Sequence, residues 1–179
     1  MVAIADSFWR DANRVPITGH GLVSTKTLTF TGDAETVATP IFTITGVIEL
    51  LKIWGICLVA FGANHTDAHL RINDQTATDV TLSKTTTLDL SAISAGAAII
   101  KNGLAAAVLS YRSADAATSL EPAVADEKSW TPAIITQKTG SIQTDIEYVY
   151  TTTDEPTSGS MQFFAGWLPL SEGASLAAS

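Results

Sequence analysis

The stretch GVIELLKIWGICLVAFGA, residues 46–63, constrains the fold of this chain more than any other. A membrane-spanning helix needs about 20 mostly apolar residues with few charges. This run carries Glu49 and Lys52 and has glycines at 46, 55 and 62, so it is too short and too charged to span. The choice left is between a buried helix and a buried strand, which periodicity alone does not separate. Composition favours a strand. Val47, Ile48, Ile53, Ile56 and Val59 are β-branched, and Trp54 and Phe61 are aromatic. Glycines bound the run as turns bound strands. In a regular strand Glu49 and Lys52 point to opposite faces, and each face is otherwise apolar. Covering both faces takes a second sheet on one side and a loop, an arm or another subunit on the other. Gly55 is expected to mark a bulge.

Neighbouring segments extend the all-β reading. In STKTLTFTG, residues 24–32, Leu28 and Phe30 face one way and Thr25, Thr27, Thr29 and Thr31 the other. That is the pattern of a half-buried strand. IFTITG (41–46), AHLRIND (68–74), DVTLS (79–83) and TLDLS (87–91) read as further strands. Residues 92–110 are alanine-rich, but Asn102-Gly103 between two apolar runs predicts a hairpin, AAII–KNG–LAAAVLS. DIEYVYTTT (145–153) puts Ile146, Tyr148 and Tyr150 on one face, and MQFFAGWLPL supplies a last strand ended by Pro169. Strands recurring every 8–15 residues with turn residues between them predict a jelly-roll-like β-sandwich. The expected organisation is an extended N-terminal arm over 1–20, a sandwich domain over 21–170 and a flexible tail over 171–179. In the arm, Phe8 and Trp9 are placed as anchors, and Asn13-Arg14-Val15-Pro16 forces an extended path.

The net charge of −8 disfavours a nucleic-acid surface, because the ten basic residues do not cluster. The N-terminal residues lack the basic and long apolar regions of a signal peptide, so folding in the cytoplasm is expected. Cys57 is the only cysteine and sits inside the apolar run, where a small buried hydrophobe is the simplest reading.

Candidate chemistry is sparse. His65-Thr66-Asp67-Ala68-His69 would place 65, 67 and 69 on one face of a strand, where two imidazoles and a carboxylate suit a transition metal. The glycine and asparagine before it favour a solvated turn instead, and no metal or other cofactor is expected. His20 between Gly19 and Gly21 reads as a turn. Gly19-x-Gly21 has no third glycine, so the dinucleotide fingerprint fails. Lys138-Thr139-Gly140 has no companion motif. Glu147, Asp154 and Glu155 would be the carboxylates for glycoside hydrolysis, but the last two sit in a Pro-Ser-Gly loop where solvation explains them. Trp54, Trp130 and Trp167 would form a sugar-stacking platform, although large aromatics more often serve cores and interfaces. Asp74 and Asp79 lack the spacing of a calcium loop. The expectation is a protein that is not an enzyme.

FWRDANRVPITGHGL (8–22), GANHTDAHLRINDQT (62–76) and IEYVYTTTDEPTSGSMQFF (146–164) together resemble small virion structural proteins of tailed bacteriophages. The resemblance implies a structural role. It points to a capsid cement (decoration) protein, with a tail, neck or fibre component open to glycan binding as the alternative. It implies location in the virion after assembly in the host cytoplasm. It implies β-rich subunits, commonly trimers, seated on the major capsid protein through extended arms, with no nucleic-acid or membrane partner. Phe8 and Trp9 would then fill pockets on the shell, and Arg10 and Arg14 would pair with its acidic groups.

Overall fold

The structure, a computed structural model, describes residues 21–30, 36–61, 65–75, 79–83, 90, 93–101, 109–112, 133–138, 143–152 and 158–179. Its elements are all strands: β1 (Leu22–Thr29), β2 (Thr36–Thr45), β3 (Val47–Val59), β4 (Thr66–Asn73), β5 (Val80–Thr81), β6 (Ala98–Lys101), β7 (Leu109–Arg112), β8 (Ala133–Thr136), β9 (Asp145–Thr151), β10 (Ser160–Pro169) and β11 (Ser175–Ala178). They form two antiparallel sheets packed as a sandwich. One has the order β1-β10-β3-β6-β7, and β8 pairs with the opening residues of β3. The other has the order β11-β2-β9-β4-β5. No helix among the described residues is long and apolar enough to cross a membrane.

The long apolar run is therefore a strand, β3, held between β10 on one edge and β6 and β8 on the other. Its inward residues Ile48, Leu50, Ile53 and Cys57 are buried. They meet Phe42, Ile44, Ile146 and Tyr148 of the second sheet in one continuous core. Tyr148 and Phe163 make contact across the two layers with ring centroids 4.9 Å apart. Each large apolar side chain buried in this layer contributes roughly 1.5–3 kcal/mol.

Neither of the two register slips of β3 against β10 falls at Gly55; one skips Leu58. The register with β10 slips where Gly166 opposes Lys52 and Trp167 opposes Leu50, which leaves Leu51 without a partner. An extra residue reverses the alternation beyond it. Glu49 and Lys52, expected on opposite faces, consequently share the face turned away from the core. Gly55 instead faces inward, where a Cβ would lie 2.7 Å from the Met161 sulfur.

β1 follows the predicted alternation, with Leu28 buried and Thr25, Thr27 and Thr29 exposed. The hairpin is present as β6 and β7, but Lys101 pairs with Leu109. This register differs from the one a turn at Asn102-Gly103 would set, and residues 102–108 lie outside the described residues. The expected flexible tail is corrected at β11, which pairs with β2 and buries Leu176 in the core.

β1 and β11 belong to different sheets and meet along one margin of the sandwich. Ser24 accepts a hydrogen bond from Trp167 Nε1 at 3.0 Å and donates to the Leu176 carbonyl. Lys26 reaches the carbonyl of Ser179. These contacts occupy carbonyls that an edge strand would otherwise expose.

A single residue, Gly46, joins β2 of one sheet to β3 of the other. Its φ is +69°, and its amide donates to Gln137 Oε1 at 3.0 Å. The next amide, of Val47, donates to Ser171 Oγ at 3.0 Å. An added Cβ at Gly46 would lie 2.6 Å from that same oxygen.

Candidate functional site

The His65–His69 segment does not assemble a metal site. β4 carries a bulge between Thr66 and His69, and Asp67 takes φ +57° there. The extra residue turns Ala68 inward and Asp67 out to solvent. His65 instead enters the core at 2% exposure. This corrects the solvated-turn reading for His65. Its Nε2 lies 2.7 Å from the Tyr148 hydroxyl. Its ring stacks on Tyr150 at 4.3 Å and on Phe61 at 4.5 Å, with Phe30 edge-on at 5.1 Å. His69 stays on the outer side, its Nδ1 2.7 Å from the Asp67 carbonyl. No group of three His, Cys, Asp or Glu side chains suited to hold a metal ion occurs among the described residues.

Glu147 is held in a hydrogen-bonded network on β9. It lies on the outer side of β9 yet is only 5% exposed. Arg71 Nε donates to one of its oxygens at 2.7 Å and Asn73 Nδ2 to the other at 2.9 Å. Arg71 also pairs with Asp79 at 2.5 Å. Asp145, two residues before Glu147, accepts from Thr43 Oγ1 at 2.7 Å and Gln143 Nε2 at 3.0 Å. These carboxylates serve as acceptors that tie β2, β4, β5 and β9 together. Lys138 pairs with Asp74 at 3.5 Å. Asp154, Glu155, Thr139, Gly140 and His20 lie outside the described residues.

Burial pushes the Cys57 thiol above its ordinary range, and its Sγ donates to the Val59 carbonyl at 3.3 Å. Burial also holds the Tyr148 phenol well above its usual value, with Tyr150 and Cys57 adding to the shift. Neither group is primed as a nucleophile.

Burial of Trp167 favours the core reading of the tryptophans over an exposed platform. Trp167 is buried, and Trp130 lies outside the described residues. Trp54 stands on the outer face of the six-stranded sheet beside its cross-strand neighbour Phe164. The two rings are parallel within 6°, with centroids 5.2 Å apart. The Lys52 ammonium lies 5.1 Å from the Trp54 centroid, and its methylene stem covers Gly166. Around this group the outer face is apolar. Ile134 is 68% exposed and Val23 55%, and Leu51, Ile56 and Leu168 are half-buried.

The two outer faces thus differ in kind. The five-stranded sheet presents Arg71, Asp79 and a buried carboxylate network. Among the described residues, the outer face of the six-stranded sheet groups Val23, Leu51, Trp54, Ile134, Phe164 and Leu168 around Glu49 and Lys52, with Thr25, Thr27 and Gln162 beside them. The apolar part of this face is exposed to solvent among the described residues. Its signal was present in MQFFAGWLPL, where both alternating sets are largely apolar. The expected arm anchors Phe8, Trp9, Arg10 and Arg14 lie outside the described residues.

Compared with family models, curated proteins and solved structures, the chain matches none of them.

Proposed function

We propose that this chain is a virion structural protein, a cement (decoration) protein that binds and stabilises the head shell of a tailed bacteriophage. The observation that carries this reading is the exposed apolar outer face of the six-stranded sheet. It opposes a sheet whose outer carboxylates are consumed in holding strands together. Such a body suits assembly, because the outer carboxylates of one sheet are engaged within the fold and an apolar cluster on the other is left for contact. The resemblance of residues 8–22, 62–76 and 146–164 supplies the setting: the major capsid protein as partner, further copies of this chain as neighbours, and no catalytic role.

In this reading residues 1–20 act as an extended arm. Phe8 and Trp9 enter pockets on the shell, and Arg10 and Arg14 pair with acidic groups there. Many identical copies multiply weak contacts by avidity. The stacked Trp54–Phe164 pair favours one second reading, a tail or fibre component that binds glycan through exposed aromatics.

Immunogold electron microscopy of the virus particles tests both. Label spread over the head supports the cement role, and a chain lacking residues 1–16 is then expected to fold but not bind heads. Label confined to the tail transfers the assignment to the second reading. Intact particles without label, under conditions where the antibody binds the purified native chain, overturn both.

A further inference from the structure

The outer face of the six-stranded sheet carries charges as well as apolar groups, and their placement is informative. The Leu51 bulge brings Glu49 and Lys52 onto this one face. Glu49 lies opposite Leu168 and Lys52 opposite Gly166. The two charges therefore stand about 7 Å apart along the strand direction. Among the described residues, no cation forms an ion pair with Glu49. Leu51 lies between them, and Ile134, Trp54, Phe164 and Leu168 surround them.

Along β3, one positive and one negative group in line make this part of the face self-complementary under a two-fold rotation. An axis that lies in the plane of the face and crosses β3 at Leu51 sets each copy's Lys52 against the other copy's Glu49. The same rotation lays Leu51 near its own equivalent and brings the flanking apolar side chains of both copies together. An axis along β3 instead sets like charge against like.

We infer that this chain pairs with a second copy of itself, outer face to outer face, about a two-fold axis crossing β3 at Leu51, with reciprocal Lys52–Glu49 contacts. Sheets packed face to face sit about 10 Å apart, a gap that these long side chains span. The inference stands without the virion reading, since it uses only the face. It also differs from the trimer that the resemblance implies, so the measurement separates them.

Sedimentation equilibrium on the full chain, on Glu49→Lys, on Lys52→Glu and on the double exchange tests it. The native chain is expected to be a dimer. Each single reversal sets like charges face to face twice per dimer, and is expected to weaken dimerisation at least about tenfold. The double exchange restores the native association. Ile134→Lys provides a variant at a position too exposed to matter for folding, and is expected to yield monomers. Far-ultraviolet circular dichroism of each variant establishes that it is folded. A native chain that is monomeric at about 100 µM, a native trimer, or a double exchange no better than the single reversals overturns the pairing.

Discussion

His65 Nε2 and the Tyr148 hydroxyl lie 2.7 Å apart inside the sandwich, 83 residues distant in sequence. Both rings are nearly inaccessible to water. A buried polar group without a partner costs about 1–3 kcal/mol, whereas removing both partners together costs much less. His65→Phe is expected to destabilise the fold by about 1–3 kcal/mol, because it strands the phenol. Adding Tyr148→Phe is expected to recover about 1 kcal/mol of the combined loss. Urea unfolding of the native chain, both single variants and the double variant measures the coupling. Strictly additive effects would remove the pair from the account of stability.

The alkaline limit of the fold follows from two protonated groups. Cys57 and Tyr148 have ordinary values of 9.0 and 10.0, and in the folded chain both are raised by burial. Above those ordinary values the unfolded chain releases protons that the folded chain keeps. Stability is then fully present below about pH 9 and falls as pH rises through and beyond pH 10. Melting temperature measured from pH 7 to 11 is expected to decline over that window. Phenolate absorbance from Tyr148 is expected only together with loss of the β-sheet circular dichroism signal. Ionisation of all three tyrosines near pH 10 with the fold intact would contradict it.

Glu147 is a buried carboxylate with two donors from neighbouring strand β4. Glu147→Ala leaves the Asn73 amide unpaired and weakens the hold on Arg71, at an expected cost of about 2–4 kcal/mol. Glu147→Gln keeps the shape and one acceptor, and is expected to cost less. Differential scanning calorimetry on the two variants checks the order. An alanine variant that melts with the native chain would mean that the network does not hold these strands.

Gly46 and Gly173 separate backbone strain from crowding. Both have positive φ, +69° and +72°, but nothing lies within 4 Å of a Cβ added at Gly173. At Gly46 the added Cβ meets Ser171 Oγ at 2.6 Å and Ala174 Cα at 3.1 Å. Gly173→Ala is expected to cost about 1 kcal/mol from conformation alone. Gly46→Ala is expected to cost more, about 2–4 kcal/mol. Removing the hydroxyl with Ser171→Ala relieves only part of it, because the Ala174 backbone remains. Chemical denaturation of the three variants decides this, and equal costs at the two glycines would rule out crowding.

Much of the layer architecture was legible in the sequence, because it rests on local alternation. Leu28 and Phe30 against the threonines of β1 gave their faces directly, as did Ile146, Tyr148 and Tyr150 in β9. What escaped was set by contacts distant in sequence. One unpaired residue, Leu51, moved Lys52 to the face of Glu49, and no feature of VIELLKIW marks the slip. His65 reads as polar from its own neighbours. Its burial depends on Phe30, Phe61, Tyr148 and Tyr150 converging on it from three other segments. SLAA has weak strand propensity, and becomes β11 because β2 offers it an edge and the core accepts Leu176. The carboxylates were judged by their loops, whereas Glu147 was decided by Arg71 and Asn73 across a strand boundary.

The one-residue passage from β2 to β3 has a mechanical consequence. In most sandwiches the layers are coupled through side chains, which slip under shear. Here a continuous length of backbone runs through one layer and on into the other, turned between them at Gly46 and clamped there by Gln137 and Ser171. Tension applied along β2 reaches β3 through covalent bonds before any apolar contact is loaded. Sliding of the layers along that direction is therefore expected to rotate the dihedrals of a residue already held in place.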